Sequence, residues 1–224
     1  MSINIALDGP SGVGKTTIAK AVAAELGYTY IDTGAMYRAL AVYFTDLGLD
    51  PASEFEIESV LDLIDISLEY SDGVQHVLVN GKDVTDRLRT EEISRTASIT
   101  SQYPAVREKL LGIQRDLARK QNVVMDGRDI GTVILPDAQL KVFMTAKPEV
   151  QAMRRYRQLE AQGKLDGATY ETILEDIRER DLRDRTRETA PLVPAEDAVQ
   201  IDTSELTIAQ VKARILEELH KRIG

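Results

Sequence analysis

The sequence has 224 residues, of which 43% are hydrophobic, and its 37 acidic and 28 basic residues leave a net charge of -9. Cysteine is absent and only two histidines occur, which excludes disulfides and thiolate metal sites and argues against a transition-metal cluster. The acidic charge argues against nucleic acid or an anionic membrane as partner, and no apolar run is long enough for a signal or membrane segment, so we expect a cytoplasmic protein.

The order of predicted elements favours one compact α/β unit with a small insertion. An apolar run at 3–7 predicts a strand, and a glycine-rich turn then leads into a helix with apolar residues at helical spacing. Gly27 ends that helix, residues 28–31 predict a second strand, and a helix over about 35–47 follows. This βαβα order is typical of a parallel sheet with helices on both faces. Further strands are predicted at 123–126, 140–144 and 198–201, and further helices near Pro104, Pro148 and Thr207, which gives five core strands.

One region departs from this order. A helix opened by Ser53 and Glu56 at capping-box spacing precedes three short β segments, ISLEY, HVLVN and KDVT. Ser71-Asp72-Gly73 and Asn80-Gly81 separate them and predict hairpin turns. An antiparallel patch inside a parallel α/β chain is most simply an inserted subdomain.

The stretch from about 154 to 187 is strongly charged and predicts a mobile helical flap that could close over a substrate. Five arginines fall within ten residues between Arg178 and Arg187. They predict a site for a small, highly charged anion. The alternative interpretation, a solvated helix face with many ion pairs, is equally compatible with the charge pattern.

The segment GPSGVGKT at 9–16 matches the phosphate-binding pattern GxxxxGK[ST] in full, between a predicted strand and a predicted helix. Its glycines let backbone N–H groups face phosphate oxygens, and the helix N-terminus adds positive potential. Lys15 would bridge the terminal phosphates and the Thr16 hydroxyl would ligate Mg²⁺. The predicted triphosphate site comprises Gly9, Pro10, Ser11, Gly12, Val13, Gly14, Lys15, Thr16 and Thr17.

Two more motifs, DTGAMYR at 32–38 and DGRD at 126–129, follow predicted strands. Both stand at the carboxyl ends of those strands, where open α/β sheets bind ligands. Taken singly, Asp126 is also compatible with a solvated strand end and Arg38 with a surface arginine.

Together, GPSGVGKTT, DTGAMYR, DGRDIGTV and RERDLRDRTRETAPLVPA resemble the bacterial cytidylate kinases. The β segments at about 66–86 resemble that family's extension, so the resemblance covers essentially the whole chain. Thr33 stands where the family more often has Ser, and the hydroxyl is retained. The resemblance implies a P-loop kinase fold with a five-stranded parallel sheet, an antiparallel insert and a helical lid. Its implied parts are a core at about 1–34, 100–153 and 188–224, a monophosphate-binding region at about 35–99 and a lid at about 154–187.

The implied activity is transfer of the γ-phosphoryl group of ATP to CMP and dCMP, with Mg²⁺, by a monomeric cytoplasmic enzyme of pyrimidine nucleotide metabolism. The implied catalytic residues are Lys15, Asp126, Arg128, Arg154 and Arg155. The implied CMP site comprises Thr33, Gly34, Tyr37, Arg38, Ser98, Arg107, Arg128, Asp129, Arg180, Asp184 and Arg187.

Physical chemistry suggests roles for these implied residues. Arg38, Arg128 and Arg187 would clamp the CMP phosphate, since a guanidinium meets phosphate oxygens bidentately. Arg180 and Asp184 would contact the sugar or the transferring group, and Arg154 and Arg155 would lie near ATP. Ser98, Arg107 and Asp129 would read the cytosine edge, and Asp126 would hold Mg²⁺ through water.

Two other classes of function remain open from the residues alone. One is a P-loop kinase for another monophosphate or for a small alcohol such as shikimate, which the fold permits. The other is a nucleotide switch or ATP-dependent binding module. The DGRD motif and the insert argue against the first, and the lack of an NKxD-like segment argues against the second.

Overall fold

A computed structural model of the chain describes residues 2–71 and 74–223. The chain forms two compact units. Unit 1 comprises Met1–Thr29 together with Gln121–Gly224, and unit 2 comprises Tyr30–Lys120. The predicted division into core, monophosphate-binding region and lid stays a prediction.

Eight strands and eight α-helices occur in the described residues. In chain order they are β1 (Asn4–Asp8), α1 (Lys15–Leu26), β2 (Thr29–Asp32), α2 (Thr33–Asp46), α3 (Glu54–Val60), β3 (Ile66–Ser71), β4 (Val74–Val79), β5 (Lys82–Asp83), α4 (Glu91–Thr100), α5 (Pro104–Lys120), β6 (Val123–Gly127), β7 (Leu140–Thr145), α6 (Pro148–Ala161), α7 (Tyr170–Thr186), β8 (Val199–Asp202) and α8 (Ile208–Ile223). None of the helices described is both long and apolar enough to cross a bilayer.

Five strands form the parallel sheet, in the order β2-β6-β1-β7-β8, which confirms the predicted number. The apolar side chains of β1 and β6 are fully buried, as expected for central strands of a parallel sheet. The register pairs Asp8 at the end of β1 with Gly127 at the end of β6. The phosphate-binding loop and the DGRD motif therefore begin at the same edge of the sheet.

In unit 2 the helix α2 is the centre of a core of its own. Its side chains Met36, Leu40 and Phe44 are completely buried, together with Ile57 of α3 and Leu110 of α5. Spacing of three and four residues between apolar positions places them on one face of α2. This packing fixes the helix that begins with the DTGAMYR motif.

The predicted insert is a three-stranded antiparallel sheet in the order β3-β4-β5. Asn80 and Gly81 both have positive φ, the conformation that a tight hairpin turn requires, so this predicted turn is confirmed. The other predicted turn includes residues 72 and 73, which lie outside the described residues. Strand β5 is shorter than predicted, because the Asp83 side chain accepts hydrogen bonds from the N–H and hydroxyl of Thr85 and starts a helical turn there.

The predicted flap contains most of α6 and all of α7, and α6 begins six residues before it. Ala152 and Leu159 of α6 pack against Ile173 and Ile177 of α7 in a small buried cluster. Thr169 opens α7 with a capping box, exchanging hydrogen bonds with Thr172. The flap is therefore helical as predicted, and its movement stays a prediction.

Candidate active site

The phosphate-binding loop joins β1 to α1 and is shaped by glycine. Gly9, Gly12 and Gly14 all have positive φ, and a Cβ on Gly9 would lie 2.1 Å from the carbonyl oxygen of Met144. No other residue fits that position without displacing backbone. The buried Nζ of Lys15 donates to the carbonyl oxygens of Gly9 at 2.7 Å and Pro10 at 2.6 Å, so the loop closes around its own ammonium group.

The ammonium group of Lys15 is affected by charged side chains of both signs. Its pKa is lowered to about 7, chiefly by burial and then by the charge of Arg128, while the carboxylates of Asp126 and Asp8 partly offset both effects. An anion placed beside Lys15 would favour the charged form and raise this pKa. A phosphate bound beside Lys15 would therefore stabilise the charged form of this side chain.

The side-chain oxygens of Thr16 and Asp126 lie close together beside the phosphate-binding loop. The Thr16 hydroxyl donates to Oδ2 of Asp126 at 3.0 Å, and Asp126 is buried at the end of β6. Hydroxyl and carboxylate oxygens are the hard ligands that Mg²⁺ prefers, usually completed by water and substrate phosphates. The described residues contain no group of three or more histidine, cysteine or acidic side chains that could hold a metal. The pair suits Mg²⁺ shared with phosphate oxygens.

Asp8 has a structural role that was not predicted. Its carboxylate accepts hydrogen bonds from the N–H groups of Ile130 at 2.8 Å and Gly131 at 2.7 Å. These residues begin a π-helical turn, Ile130–Ile134, directly after the DGRD motif. Asp8 thereby fixes the segment that carries Arg128 and Asp129. A single polar residue at the end of an apolar strand is the sequence signal for this contact.

Two arginines of unit 1 are held by aspartates. Nε of Arg128 lies 2.8 Å from Oδ2 of Asp184, and Nη2 of Arg187 lies 3.5 Å from Oδ1 of Asp129. Burial alone would raise the pKa of Asp184, but Arg128 and Arg180 outweigh burial and lower it. Four of the predicted CMP-binding residues thus form two ion pairs within one unit.

The arginine-rich segment was predicted to be either an anion site or a solvated helix face with ion pairs. Some of its residues fit the first interpretation and others fit the second. Arg187 is buried, as are Asp181 and Asp184, which is the pattern of an internal charged site. Arg178 is exposed and pairs with Glu149 of α6 at 2.8 Å, which is the pattern of a solvated face. Asp181 was not predicted, and its Oδ1 accepts a hydrogen bond from the N–H of Ser11 in the phosphate-binding loop at 3.3 Å.

Arg154 contacts the loop from α6. Its guanidinium donates to the carbonyl oxygen of Thr203 at 2.6 Å, to the Thr203 hydroxyl at 3.1 Å and to the carbonyl oxygen of Val13 at 3.4 Å. The Thr203 hydroxyl also donates toward Val13 at 3.1 Å, and sequence reasoning missed this residue. Arg155 donates to Gln158 on its own helix at 3.3 Å. Arg154 thus contacts the loop through Val13, whereas this contact of Arg155 stays within α6.

The predicted residues of unit 2 begin at the first turn of α2. Asp32 caps this helix by accepting from the N–H of Ala35, and its other carboxylate oxygen lies 2.9 Å from Nη2 of Arg38. Gly34 lies directly beneath this pair, since an added Cβ would be 3.0 Å from Nη1 of Arg38 and 3.2 Å from Oδ1 of Asp32. Thr33 is buried beside it. Arg38 is thus held in a fixed orientation by its own motif.

Three further predicted residues lie on α2, α4 and α5. The guanidinium of Arg107 lies 5.6 Å from the centre of the Tyr37 ring, within the range of a cation–π contact. It also donates to the carbonyl oxygen of Ser101 at 3.1 Å. Ser98 is buried on α4, one turn before Ser101, whose hydroxyl donates to the Ser98 carbonyl oxygen.

The raised pKa of Asp8 predicts a pH-dependent stability. Burial raises this pKa from 3.8 to about 6, so the folded chain binds the proton more tightly, and the cost of the buried charge grows as pH rises through that range. Asp8→Asn lacks the charge. We expect the free energy of unfolding of Asp8→Asn, minus that of the parent, to increase by about 2 kcal/mol between about pH 4 and pH 7. Urea unfolding measures it. A constant difference, or an equal change for Asp137→Asn at the exposed turn before β7, would contradict this prediction.

Comparison with known proteins agrees with this geometry. The family model described as cytidylate kinase matches residues 5–221. Cytidylate kinases from Caldicellulosiruptor saccharolyticus and Geobacillus thermodenitrificans are 48% and 47% identical over 99% of this chain, covering 97% and 98% of their own lengths. The solved structure of shikimate kinase from Bacteroides thetaiotaomicron has a TM-score of 0.50 and 18% identity, covering 97% of this chain and 98% of that one, which supports the P-loop kinase fold alone. The chain belongs to the cytidylate kinase family.

Proposed function

We propose that this chain transfers the γ-phosphoryl group of ATP to CMP, and also to dCMP, to give the diphosphate and ADP. The observation that carries the proposal is the buried Lys15 enclosed by the phosphate-binding loop, beside the Thr16–Asp126 pair. This arrangement suits the terminal phosphates of a nucleoside triphosphate. The relatives named cytidylate kinase supply the identity of the acceptor.

The chemistry needs no general base. The acceptor is a phosphate oxygen whose second pKa is about 6, so it is already largely anionic at neutral pH. The barrier lies in bringing two anionic groups into line and stabilising the charge of the transition state. Lys15 and the arginines provide that charge.

Mg²⁺, held by Thr16 and through water by Asp126, would supply charge neutralisation across the terminal phosphates of ATP. The remaining role of the loop is binding. Its N–H groups and the N-terminus of α1 present positive potential to the phosphate oxygens. Arg154, which contacts Val13, would keep the loop in place near ATP.

We assign the acceptor's phosphate to Arg38, Arg128 and Arg187. Each lies next to an aspartate, which orients the guanidinium before a phosphate binds. Arg180 and Asp184 would contact the sugar or the transferring group. Thr33, Gly34 and Tyr37 complete this part of the site, and Ser98, Arg107 and Asp129 would read the cytosine edge. A cytoplasmic location, a monomeric state and the absence of a nucleic-acid partner stay predictions.

An assay of coupled ADP release tests the function directly. CMP, dCMP, UMP, AMP and shikimate are offered separately with MgATP, and we expect CMP to give the highest kcat/KM, with dCMP next. Lys15→Ala is the control, and its kcat should fall by at least about a hundredfold because it removes a charge that acts mainly in the transition state. If no acceptor stimulates ADP release, the proposal is wrong. Preference for shikimate would point to the small-alcohol kinases instead.

The base preference depends on Asp129. Cytosine has an amine donor at position 4 and uracil has a carbonyl acceptor, so a carboxylate favours cytosine. Because mismatched polar groups cost about 1 to 3 kcal/mol each, Asp129→Ala should lower kcat/KM for CMP by about ten- to several-hundredfold. The loss for UMP should be smaller, and the KM for ATP should change little. Steady-state kinetics with both nucleotides measure the ratio.

The competing explanation follows from the contact between Asp129 and Arg187. If Asp129 only orients that arginine, CMP and UMP lose activity by the same factor. Asp129→Asn separates the two explanations further, since an amide donor facing position 4 should shift the preference toward UMP. An unchanged ratio of CMP to UMP in both variants would contradict the assignment.

A further inference from the structure

The antiparallel insert contacts the first turn of α2 through one side chain. Oε1 of Gln75, on β4, accepts a hydrogen bond from the N–H of Asp32 at 2.9 Å. Nε2 of the same side chain donates to the carbonyl oxygen of Asp32 at 3.3 Å. A single amide thus pairs with both backbone groups of Asp32, as the backbone of a neighbouring strand would. Both residues belong to unit 2.

Asp32 connects this contact to the predicted phosphate clamp. It is the last residue of β2 and the N-cap of α2, and its carboxylate contacts both the N–H of Ala35 and the guanidinium of Arg38. Rotation of the Asp32 backbone would move both carboxylate oxygens. The orientation of Arg38 therefore depends on whatever fixes the Asp32 backbone.

The hairpin itself does not need the Gln75 amide. Strands β3 and β4 pair continuously from Ile66 with Val79 to Ser71 with Val74, and this pairing uses backbone groups. His76, the next residue on β4, points to the opposite face of the sheet and hydrogen-bonds with Asp83 at 2.8 Å. Side-chain contacts on the two faces of β4 thus have different partners.

We propose that Gln75 is a positioning residue, through which the insert fixes the backbone of Asp32 and hence the Arg38 guanidinium for the phosphate of the acceptor. The proposal rests on the assignment of Arg38 to the CMP phosphate made above. The function of the insert would then be to position Arg38, a role separate from the folding of the parallel sheet. Its effect should fall on the acceptor and leave the ATP site unchanged.

The test compares Gln75→Leu with His76→Leu. Gln75→Leu removes both hydrogen bonds to the Asp32 backbone, so we expect the KM for CMP to rise about tenfold, which corresponds to about 1.4 kcal/mol. The KM for ATP should stay within about twofold, a margin below 0.5 kcal/mol. His76→Leu removes a hydrogen bond from the opposite face of the same strand, and its KM for CMP should equal that of the parent. Thermal unfolding of both variants shows whether the hairpin is intact.

Gln75→Glu adds a second measurement, the pH dependence of the KM for CMP. This pH dependence should not differ from that of the parent if Gln75 has only a structural role. Its ionised carboxylate can accept from the Asp32 N–H but faces the Asp32 carbonyl oxygen without a donor, and protonation restores the donor. The facing carbonyl oxygen disfavours the ionised form and should raise the pKa of this carboxyl above the ordinary Glu value of about 4.3. The ratio of its KM for CMP to that of the parent, measured at the same pH, should therefore fall as pH is lowered from about 8 to about 5. Comparison with the parent cancels the titration of CMP itself.

The outcomes distinguish this inference from the proposed function. A parent that does not convert CMP counts against the function and removes the basis of the inference. An active parent with an unchanged KM for CMP in Gln75→Leu overturns the inference alone, as does an equal shift in His76→Leu. Should Gln75→Leu fail to fold, a ratio for Gln75→Glu that does not vary with pH overturns it.

Discussion

The buried Arg187 and the partly buried Arg128 impose the main constraint on this structure. A buried charge is costly unless a partner of opposite charge lies beside it, and Arg128 and Arg187 lie beside Asp184 and Asp129. One carboxylate contact uses only part of a guanidinium, which has five N–H donors. The aspartates therefore orient the arginines and leave them suited to bidentate contact with phosphate. Because folding already orders these arginine side chains, nucleotide binding loses less side-chain entropy.

The lysine of the phosphate-binding loop is also buried, and its ammonium group is held by backbone groups. Two backbone carbonyl groups accept from Lys15, and burial lowers its pKa toward neutrality. Asp8 is the counterpart on the acidic side, a buried carboxylate held by two backbone N–H groups and with a raised pKa. Burial disfavours the charged form of both groups. Asp8 fixes the segment that follows the DGRD motif, and Lys15 lies in the loop that begins at the same edge of the sheet.

Much of the fold and the outline of the site were predictable, because their signals are local. The phosphate-binding pattern fixes a loop between a strand and a helix, and the positions of DTGAMYR and DGRD follow from the ends of β2 and β6. The capping box predicted for α3 from the spacing of Ser53 and Glu56 is only partly present. Ser53 caps this helix as predicted, but the carboxylate of Glu56 accepts from the N–H of Asp50 at 3.0 Å.

Contacts between distant parts of the chain could not be predicted. Asp181 and Ser11 are 170 positions apart, Asp8 and Ile130 are 122 apart, and Gln75 and Asp32 are 43 apart. Hydrophobic periodicity determines which face of an element is buried, but it does not say which polar side chain meets which backbone group. The eight-residue phosphate-binding pattern likewise predicts that Lys15 binds phosphate, and only the structure shows how its ammonium is held.

If the paired arginines form the proposed site for the phosphate of the acceptor, CMP should bind more tightly than cytidine, and the ratio of the two affinities is the most direct test. Calorimetric titration of the parent and of Arg128→Lys gives both dissociation constants without catalysis. Since charge-assisted hydrogen bonds contribute about 1.5 to 3 kcal/mol each, CMP should bind at least about a hundredfold more tightly than cytidine. Arg128→Lys should reduce that ratio about tenfold or more, because lysine cannot make the bidentate contact. Equal affinities of the parent for CMP and cytidine would contradict the account.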